Sequence, residues 1–351
     1  MTDGPDPTLA IFHDSDHERP TLKTIAAATG LAIATVSRAL NDAPDIGEET
    51  KRRVRETAAQ LGYRPNRAGV RLRTGKTNVI ALVLSAEADV MNHTSRLIYS
   101  IASGLRGTSY HLVVMPYFSD QDPIEPVRYV VETGSADGIV LNQTMPDDPR
   151  IRYLAERGIP FVSHGRSEMG IAHSYFDYDN DAFSRLAVRA LIRRGRRRLM
   201  LIAPPRNQTY SRHMITGFAD EAAINGASFE LLETATSDSG SVAIGAAMRA
   251  RYAASLPPDG VLVGSTTAAM ASVAAAEQLG FAIGRDFDLV GKEAIFFLRS
   301  FRHEMIVGYE DVGAAGAFLA RAVMAMINRA PPGDWQYVDT PMALDAEGAT
   351  T

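Results

Sequence analysis

The sequence has no cysteine, which excludes disulfides, thiolate nucleophiles and zinc–thiolate sites. It also lacks an apolar run of the roughly 18 residues that a membrane-spanning helix needs. Its acidic start, MTDGPDPTLAIFHDSDHERP, has no basic region followed by an apolar stretch, so we expect a disordered arm there and no signal peptide. With 351 residues, 46% of them hydrophobic, the chain is expected to fold as two or three domains. These features fit a cytoplasmic protein.

Catalytic and metal-binding motifs are also missing. The eight histidines show no metal-ligand spacing, and no GxSxG nucleophile motif occurs. The segment GVRLRTGKT resembles a phosphate-binding loop, but five residues separate Gly69 from Gly75 where four are required. The NVIALVL that follows predicts a strand, whereas such a loop opens a helix. We therefore predict no enzymatic activity, no metal and no cofactor.

The net charge of −5 conceals a basic segment. Between residues 51 and 76 the only acid is Glu56. The basic residues there are Lys51, Arg52, Arg53, Arg55, Arg64, Arg67, Arg71, Arg73 and Lys76. A basic segment near one end of an acidic protein indicates a polyanion partner. The alternative is a solvated charged helix face.

Three short helical patterns surround the start of this segment. In TLKTIAAATG, Thr21 suits a helix N-cap and Gly30 suits the C-terminal cap. AIATVSRALN follows with apolar residues at helical spacing and closes at Asn41. GEETKRRVRETAAQLGY has acids in its first turn and turns Val54 and Ala58 inward. Two short helices joined by a glycine turn, with a third completing the core, predict a helix-turn-helix DNA reader.

Residues 21–77 resemble the DNA-binding segment of LacI-type transcriptional regulators in the TVSR sequence, the closing asparagine, LGYRPN and RTGKT. By that resemblance Ile33, Ala34 and Arg38 occupy base-reading positions. Arginine can bind guanine in a bidentate manner, and apolar side chains can contact thymine methyls. Core packing is the alternative role for Ile33. The full predicted DNA-binding set is Thr21, Leu22, Ile33, Ala34, Thr35, Ser37, Arg38, Asn41, Tyr63, Asn66, Arg67, Leu72 and Arg73.

The segment RPNRAGVRLRTGK matches the hinge of that family. Pro65 suits the first turn of a helix, and the run that follows is too short to be stable alone. In the family, paired hinge helices insert a leucine into the minor groove, and Leu72 falls on that leucine. Such an apolar wedge unstacks a base step and kinks the duplex. Gly69 replaces the more usual alanine and weakens the helix, and Leu72 as an ordinary linker residue is the alternative.

From residue 78 onward, apolar strands alternate with helical runs. The predicted strands lie in NVIALVL, YHLVVMP, ADGIVLN, IPFVSH, RRLMLIAP, FELLETA, DGVLVGS and DFDLVG. This alternation predicts parallel sheets covered by helices, in two lobes that separate near residues 165–180. The region also resembles the family's effector domain, which is similar to periplasmic sugar-binding proteins. That resemblance implies three crossings between lobes, with a helix at 311–329 returning to the first lobe.

Ligands of such folds bind beyond the carboxyl ends of the strands, so we expect the site in the cleft between lobes. The predicted effector-binding residues are Asp89, His93, Tyr117, Phe118, Asn142, Arg166, Phe176, Tyr178, Arg212, Ser265, Lys292, Glu293 and Glu310. Carboxylates, amides and aromatic rings in this set favour a neutral sugar or polyol. Met214 stands where the family usually has a ligand-binding arginine, so Arg212 is expected to substitute or that contact is lost.

We predict an α/β protein with an all-α headpiece and a two-lobed domain. Its segments are an arm at 1–19, a helix-turn-helix domain at 20–64, a hinge at 65–77, an effector and dimerisation domain at 78–343 that crosses near 177 and 308, and a tail at 344–351. The C-terminus has no apolar heptads, so a homodimer is expected and a tetramer is not.

The predicted function is a sugar-responsive repressor that binds a pseudo-palindromic operator on the bacterial nucleoid. Within the same family, a purine-type corepressor or an activator role is the alternative. A sugar-binding protein without DNA function belongs to another class.

Overall fold

A computed structural model describes residues 20–63, 71, 75–85, 91–118, 120–342 and 344. The chain divides into two compact units, one that ends at Thr77 and one that begins at Asn78. Each unit has its own hydrophobic core. Within the described part of the chain, no helix is both long and apolar enough to cross a bilayer.

The first unit contains the three predicted helices, α1 (Leu22–Thr29), α2 (Ile33–Leu40) and α3 (Glu48–Gln60). Thr21 caps α1, and Gly30 ends it at φ 69°, a left-handed conformation that glycine adopts without steric cost. The buried core of the first unit consists of Ile25, Val36, Ala39, Val54 and Ala58. The helical headpiece predicted from the sequence is confirmed.

The second unit contains two parallel sheets. The first has the strand order β11-β5-β4-β3-β1-β2 and the second has the order β10-β9-β8-β6-β7. The strands of the first are β1 (Val79–Ser85), β2 (His111–Tyr117), β3 (Gly138–Asn142), β4 (Phe161–His164), β5 (Ser174–Tyr178) and β11 (Gln336–Asp339). Those of the second are β6 (Arg198–Ile202), β7 (Ser228–Leu231), β8 (Gly260–Val263), β9 (Asp288–Glu293) and β10 (Ile306–Tyr309). The strands β5, β10 and β11 are absent from those predicted from the sequence, and they lie where the chain passes between the lobes.

Helices cover both faces of each sheet. The first lobe has α4 (Met91–Gly104), α5 (Glu125–Thr133), α6 (Pro149–Glu156) and α12 (Val312–Ile327). The second lobe has α7 (Asn180–Arg193), α8 (Thr209–Ile224), α9 (Ser241–Ala253), α10 (Thr266–Gln278) and α11 (Leu298–Phe301). A 3-10 turn, Pro332–Trp335, precedes β11. The predicted α/β class with two parallel sheets is confirmed.

The chain crosses between the lobes three times, after β5, after β10 and after β11. The return of the helix after β10 to the first lobe is confirmed, because α12 packs against the first sheet and α4. The tail that the sequence analysis starts at residue 344 is corrected at its first residue. Leu344 is buried in the second lobe, and its carbonyl accepts a hydrogen bond of 3.1 Å from Arg193.

Candidate functional site

The first turn of α2 presents an exposed surface on the helical unit. Ile33 is 44% exposed and Ala34 is also exposed, whereas Val36 and Ala39 on the opposite side of α2 are buried. Ile33 therefore lies outside the core, and its alternative role as a packing residue is not what the structure shows. Both apolar side chains are accessible to a base edge.

Arg38 lies one turn further along α2 and forms an ion pair with Asp45, with both side chains about half exposed. An exposed ion pair contributes only about 0–1 kcal/mol. A bidentate arginine–guanine contact contributes about 1–3 kcal/mol of discrimination. The ion pair is therefore weak enough for the Arg38 guanidinium to leave Asp45 and bind a base.

The other predicted DNA contacts on this unit have local structural roles as well. Thr21 and Thr24 cap α1 reciprocally, through backbone-to-hydroxyl hydrogen bonds of 3.1 and 3.4 Å. The Asn41 amide donates to the Ser37 carbonyl at the end of α2. Leu22 and Tyr63 pack against the core, and partial burial raises the pKa of the Tyr63 phenol. Thr35 is half-buried on α2.

Acidic neighbours neutralise much of the predicted basic segment on α3. Lys51 lies 2.7 Å from Glu48 and 3.1 Å from Asp42, and Arg55 lies 2.8 Å from the same Asp42 oxygen. Hydrogen bonding to Lys51, with the charge of Arg55, lowers the pKa of Asp42. Arg52 is paired with Glu49 at 2.7 Å. The positive field of α3 is therefore weaker than a count of its basic residues suggests.

Four predicted DNA-contacting residues and one predicted effector-contacting residue lie outside the described residues. They are Asn66, Arg67, Leu72, Arg73 and Asp89. Their roles stay predictions.

A cavity lies between the two lobes of the second unit, where the carboxyl ends of strands from both sheets converge. Its volume is about 890 Å³ when the open mouth is included. Its lining residues are His93, Asn142, Gln143, His164, Gly165, Asp177, Tyr178, Asn180, Tyr210, Asp238, Gly264, Ser265, Thr266, Thr267, Lys292, Glu293, Ala294 and Glu310.

Glu310, directly after β10, is the centre of the charged part of this wall. Its Oε1 lies 3.2 Å from His93 Nε2 and 3.6 Å from His164 Nε2, and its Oε2 lies 2.8 Å from Lys292 Nζ. Burial opposes ionisation of Glu310, but Lys292 and then His93 hold its pKa well below the usual range. Glu310 is therefore a carboxylate held by both lobes, because the histidines come from the first and Lys292 from the second.

Lys292, near the end of β9, contacts both polar groups and aromatic rings. Besides Glu310, its ammonium donates to Asn180 Oδ1 at 3.0 Å. It also lies 5.2 Å from the ring centre of Tyr178 and 5.5 Å from that of Tyr210, within cation–π range. Among the described lining residues it is the only lysine, and arginine is absent.

Two further ionisable groups in the wall have shifted pKa values. Burial, together with the neighbouring His93, lowers the pKa of His164 to about 4. Burial raises the pKa of Asp177 to about 7, although Arg166 lies 3.0 Å away and works in the opposite direction. At neutral pH the cavity therefore presents a neutral imidazole and a carboxyl group that is about half protonated.

Seven of the predicted effector residues line the cavity: His93, Asn142, Tyr178, Ser265, Lys292, Glu293 and Glu310. Two of these also have local structural tasks. Ser265 Oγ caps α10 and donates to the Ser237 carbonyl at 2.9 Å. Glu293 accepts backbone hydrogen bonds of 2.9 and 2.8 Å at the start of α11.

Five predicted residues lie outside the cavity lining. Tyr117 is the last residue of β2 and Phe118 follows it, and β2 is an edge strand of its sheet. Phe176 lies two residues before the end of β5 and is buried in the first-lobe core. Arg212 is paired with Glu168 at 2.8 Å and is mostly exposed. Arg166 does not line the cavity, but its guanidinium lies 3.0 Å from the carboxyl group of the lining residue Asp177.

The structure adds lining residues that the sequence analysis missed, notably His164, Asp177, Asn180 and Tyr210. His164 is the last residue of the predicted strand IPFVSH, so the strand-end rule could have found it. Asp177 belongs to β5, which the sequence analysis did not predict. Tyr210 lies inside α8 and carried no sequence signal.

Comparisons with known proteins agree with this architecture. Residues 21–66 match the bacterial regulatory proteins of the lacI family, and residues 188–338 match the periplasmic binding protein-like domain. The chain is 32% identical over 315 residues to the HTH-type transcriptional regulator AglR of Rhizobium meliloti (strain 1021), covering 87% of each chain.

Two solved structures share the fold. The lac repressor dimer bound to operator and the anti-inducer ONPF has a TM-score of 0.81 at 18% identity, over 93% of this chain and 98% of that one. The complex of the transcriptional regulator CelR with cellobiose has a TM-score of 0.67 at 24% identity, over 92% of this chain and 98% of that one. The helical headpiece, the two-lobed domain and the extended similarity to AglR lead to one assignment: the chain belongs to the LacI family and is a DNA-binding transcriptional regulator, not an enzyme.

Proposed function

We propose that the protein is a repressor that binds a pseudo-palindromic operator as a homodimer and responds to a neutral sugar in the interlobe cavity. The observation that carries the effector part is the wall around Glu310, where paired charges from both lobes line one cavity. A hydroxylated ligand that bridges these groups would favour one arrangement of the lobes over another.

The chemistry of the lining supports a polyhydroxylated, uncharged ligand. Carboxylate, amide and ammonium groups of Glu310, Asn180 and Lys292 suit vicinal hydroxyls, and the rings of Tyr178 and Tyr210 suit the C–H face of a sugar. Lys292 is already neutralised by Glu310, so a phosphorylated ligand would find no unpaired cation on it. The cellobiose in the CelR complex supports a sugar for this fold.

The operator part of the proposal starts from the exposed first turn of α2 and from Arg38. The related lac repressor structure is a dimer bound to operator. A two-fold dimer requires two similar half-sites, so the operator should be a pseudo-palindrome. We assign 20–64 to DNA reading, 65–77 to the hinge and 78–344, which includes the buried Leu344, to effector binding and dimerisation, in a protein acting on nucleoid DNA in the cytoplasm.

Selection from random duplex pools, followed by thermal-shift screening, tests the proposal. We expect enrichment of one symmetrical sequence, strong weakening of binding with salt, and stabilisation by a sugar from a panel that also contains polyols and nucleobases. Glu310→Gln should abolish the ligand-induced stabilisation, and the matched control Glu304→Gln, outside the cavity, should retain it. If no symmetrical sequence is enriched, the operator proposal is wrong. If only nucleobases stabilise the protein, the proposal of a sugar effector is wrong.

A further inference from the structure

We propose that His93, His164 and Glu310 form a binding site for a divalent transition-metal ion in the wall of the interlobe cavity. Within the described part of the chain, these residues bring two imidazole nitrogens and one carboxylate oxygen within 4.8 Å of one another. None of the three shares a sequence motif with another, since they lie on α4, at the end of β4 and after β10.

The distances suit first-sphere ligands. Metal–nitrogen and metal–oxygen bonds of zinc are about 2.0–2.2 Å, which places neighbouring ligand atoms of a tetrahedron about 3.3 Å apart. Glu310 Oε1 lies 3.2 Å from His93 Nε2 and 3.6 Å from His164 Nε2. All three ligand atoms lie within 4.8 Å of one another, so side-chain movement that draws the two imidazoles together would complete the coordination of an ion.

A hydrogen bond fixes the His164 ring in the orientation that metal binding requires. His164 Nδ1 lies 3.2 Å from Asn142 Oδ1, and both side chains are buried. An amide oxygen only accepts, so Nδ1 carries the proton and Nε2 keeps its lone pair. That lone pair faces the carboxylate of Glu310, which also only accepts. Glu310 Oε1 is also within hydrogen-bond distance of His93 Nε2, and a cation bound here would take the place of that proton. The Asn142–His164 contact supports the His164 ring from outside the proposed site.

Lys292 limits the affinity without taking the ligand atom. It contacts Oε2 of Glu310, whereas both histidines approach Oε1. Its positive charge repels an incoming cation, so removal of that charge should strengthen metal binding. With three protein ligands, at least one coordination position opens into the cavity, where water or the hydroxyls of the proposed sugar effector can bind. The effector part of this inference rests on the proposed function.

Two imidazoles and one carboxylate favour zinc, cobalt, nickel or copper over magnesium and calcium, which prefer oxygen ligands. The test uses chelator-treated full-length protein and Co²⁺ as a spectroscopic probe, with Zn²⁺ in competition. We expect one Co²⁺ per chain at this site, with visible absorption of a nitrogen- and oxygen-bound ion that Zn²⁺ removes. His164→Ala should weaken binding at least about tenfold, as should His93→Gln, and the matched control His111→Ala on exposed β2 should change nothing.

Lys292→Met provides a test of opposite sign, because it should tighten Co²⁺ binding several-fold. Circular dichroism identifies any variant that fails to fold, and the half-exposed position of His93 keeps His93→Gln informative if His164→Ala is unfolded. The inference is overturned if the wild-type protein shows no such absorption, or if both histidine variants bind Co²⁺ as the wild type does. Operator binding and sugar binding are measured separately with chelator present. Because neither measurement needs the metal, failure of the metal site and failure of the proposed function can be distinguished.

Discussion

Arg38 is the side chain of α2 best able to distinguish one base pair from another, because its guanidinium is half exposed and its ion pair with Asp45 is weak. We predict that Arg38→Ala weakens operator binding by about 1–3 kcal/mol and relaxes the preference at one base-pair position. Fluorescence anisotropy with the selected operator and its single-base variants measures both effects.

The matched control for Arg38 is Arg52→Ala on α3. Arg52 is equally exposed, but Glu49 and Glu56 already pair with it. We expect this control to change affinity little and base preference not at all. Unchanged base preference in Arg38→Ala would contradict the role given to Arg38.

Asp177 predicts a pH dependence of stability. Its pKa is about 7 in the folded protein against 3.8 as the ordinary value, so between those pH values the folded state binds more protons than the unfolded state. The contribution of Asp177 to stability therefore falls as pH rises from about 4 to 7. Asp177→Asn has no carboxyl group to titrate at this position, so it avoids this loss of stability. Its free energy of unfolding relative to the wild type should rise with pH, by at most about 4 kcal/mol above pH 7.

Urea unfolding at a series of pH values measures this difference. Asp147→Asn is the control for removal of a carboxylate from the surface, because Asp147 is largely exposed beside Arg152. An Asp177→Asn difference that does not change between pH 4 and 8 would be inconsistent with a carboxyl group that is protonated in the native protein.

At the scale of elements, α12 packs on α4. Glu310 precedes α12 and its partner His93 lies on α4, so this packing brings the two side chains together. Gly316 makes this packing possible, since a Cβ there would lie 2.4 Å from Ser100 Cβ and 2.9 Å from the Ile101 backbone nitrogen. We predict that Gly316→Ala destabilises the protein by about 1–3 kcal/mol, because overpacking outweighs the gain in helix propensity. Urea unfolding measures it.

Gly245→Ala in α9 is the matched control for Gly316. Its Cβ would approach only the flexible end of Arg249 at 3.3 Å, so the higher helix propensity of alanine should stabilise by up to about 1 kcal/mol. If the two substitutions changed the free energy of unfolding equally, the close packing of α12 on α4 would not be the reason for the effect at Gly316.

Elements with strong local signals were predictable. The capping residues Thr21 and Gly30 and the apolar spacing of α1 to α3 placed the headpiece helices from sequence alone. The short strands β5, β10 and β11 were not predictable. Four or five residues of mixed polarity carry too weak a pattern, and these strands form because neighbours in the sheet accept their hydrogen bonds.

At the scale of the whole molecule, the proposed hinge links effector state to operator affinity. Leu72 lies outside the described residues, and its role as a minor-groove wedge comes from the family resemblance. We predict that Leu72→Ala weakens operator binding at least tenfold while effector affinity measured without DNA stays the same, because an apolar wedge supports the kinked duplex only in the DNA complex. Gel-shift titration and calorimetry measure the two affinities.

Leu256→Ala, at an exposed leucine of the second unit, serves as the control and should leave both affinities unchanged. If Leu72→Ala binds the operator as the wild type does, the hinge proposal is wrong. If effector affinity without DNA falls as well, Leu72 acts through the second unit and not through the duplex.

The sequence alone determined the helix-turn-helix unit and the parallel α/β class, because caps, helical spacing and apolar strands are local patterns. The family resemblance implied the crossover of α12. The sequence also placed seven lining residues, five of them because they follow predicted strands, whereas Tyr178 and Glu310 lie at strands that were not predicted. Only the tertiary structure decided which of these side chains line the cavity, since Tyr117 and Phe118 at the end of an edge strand are not among the lining residues. The contact of His93, His164 and Lys292 with Glu310 likewise depends on folding, because residues from separate elements meet only when both lobes are assembled.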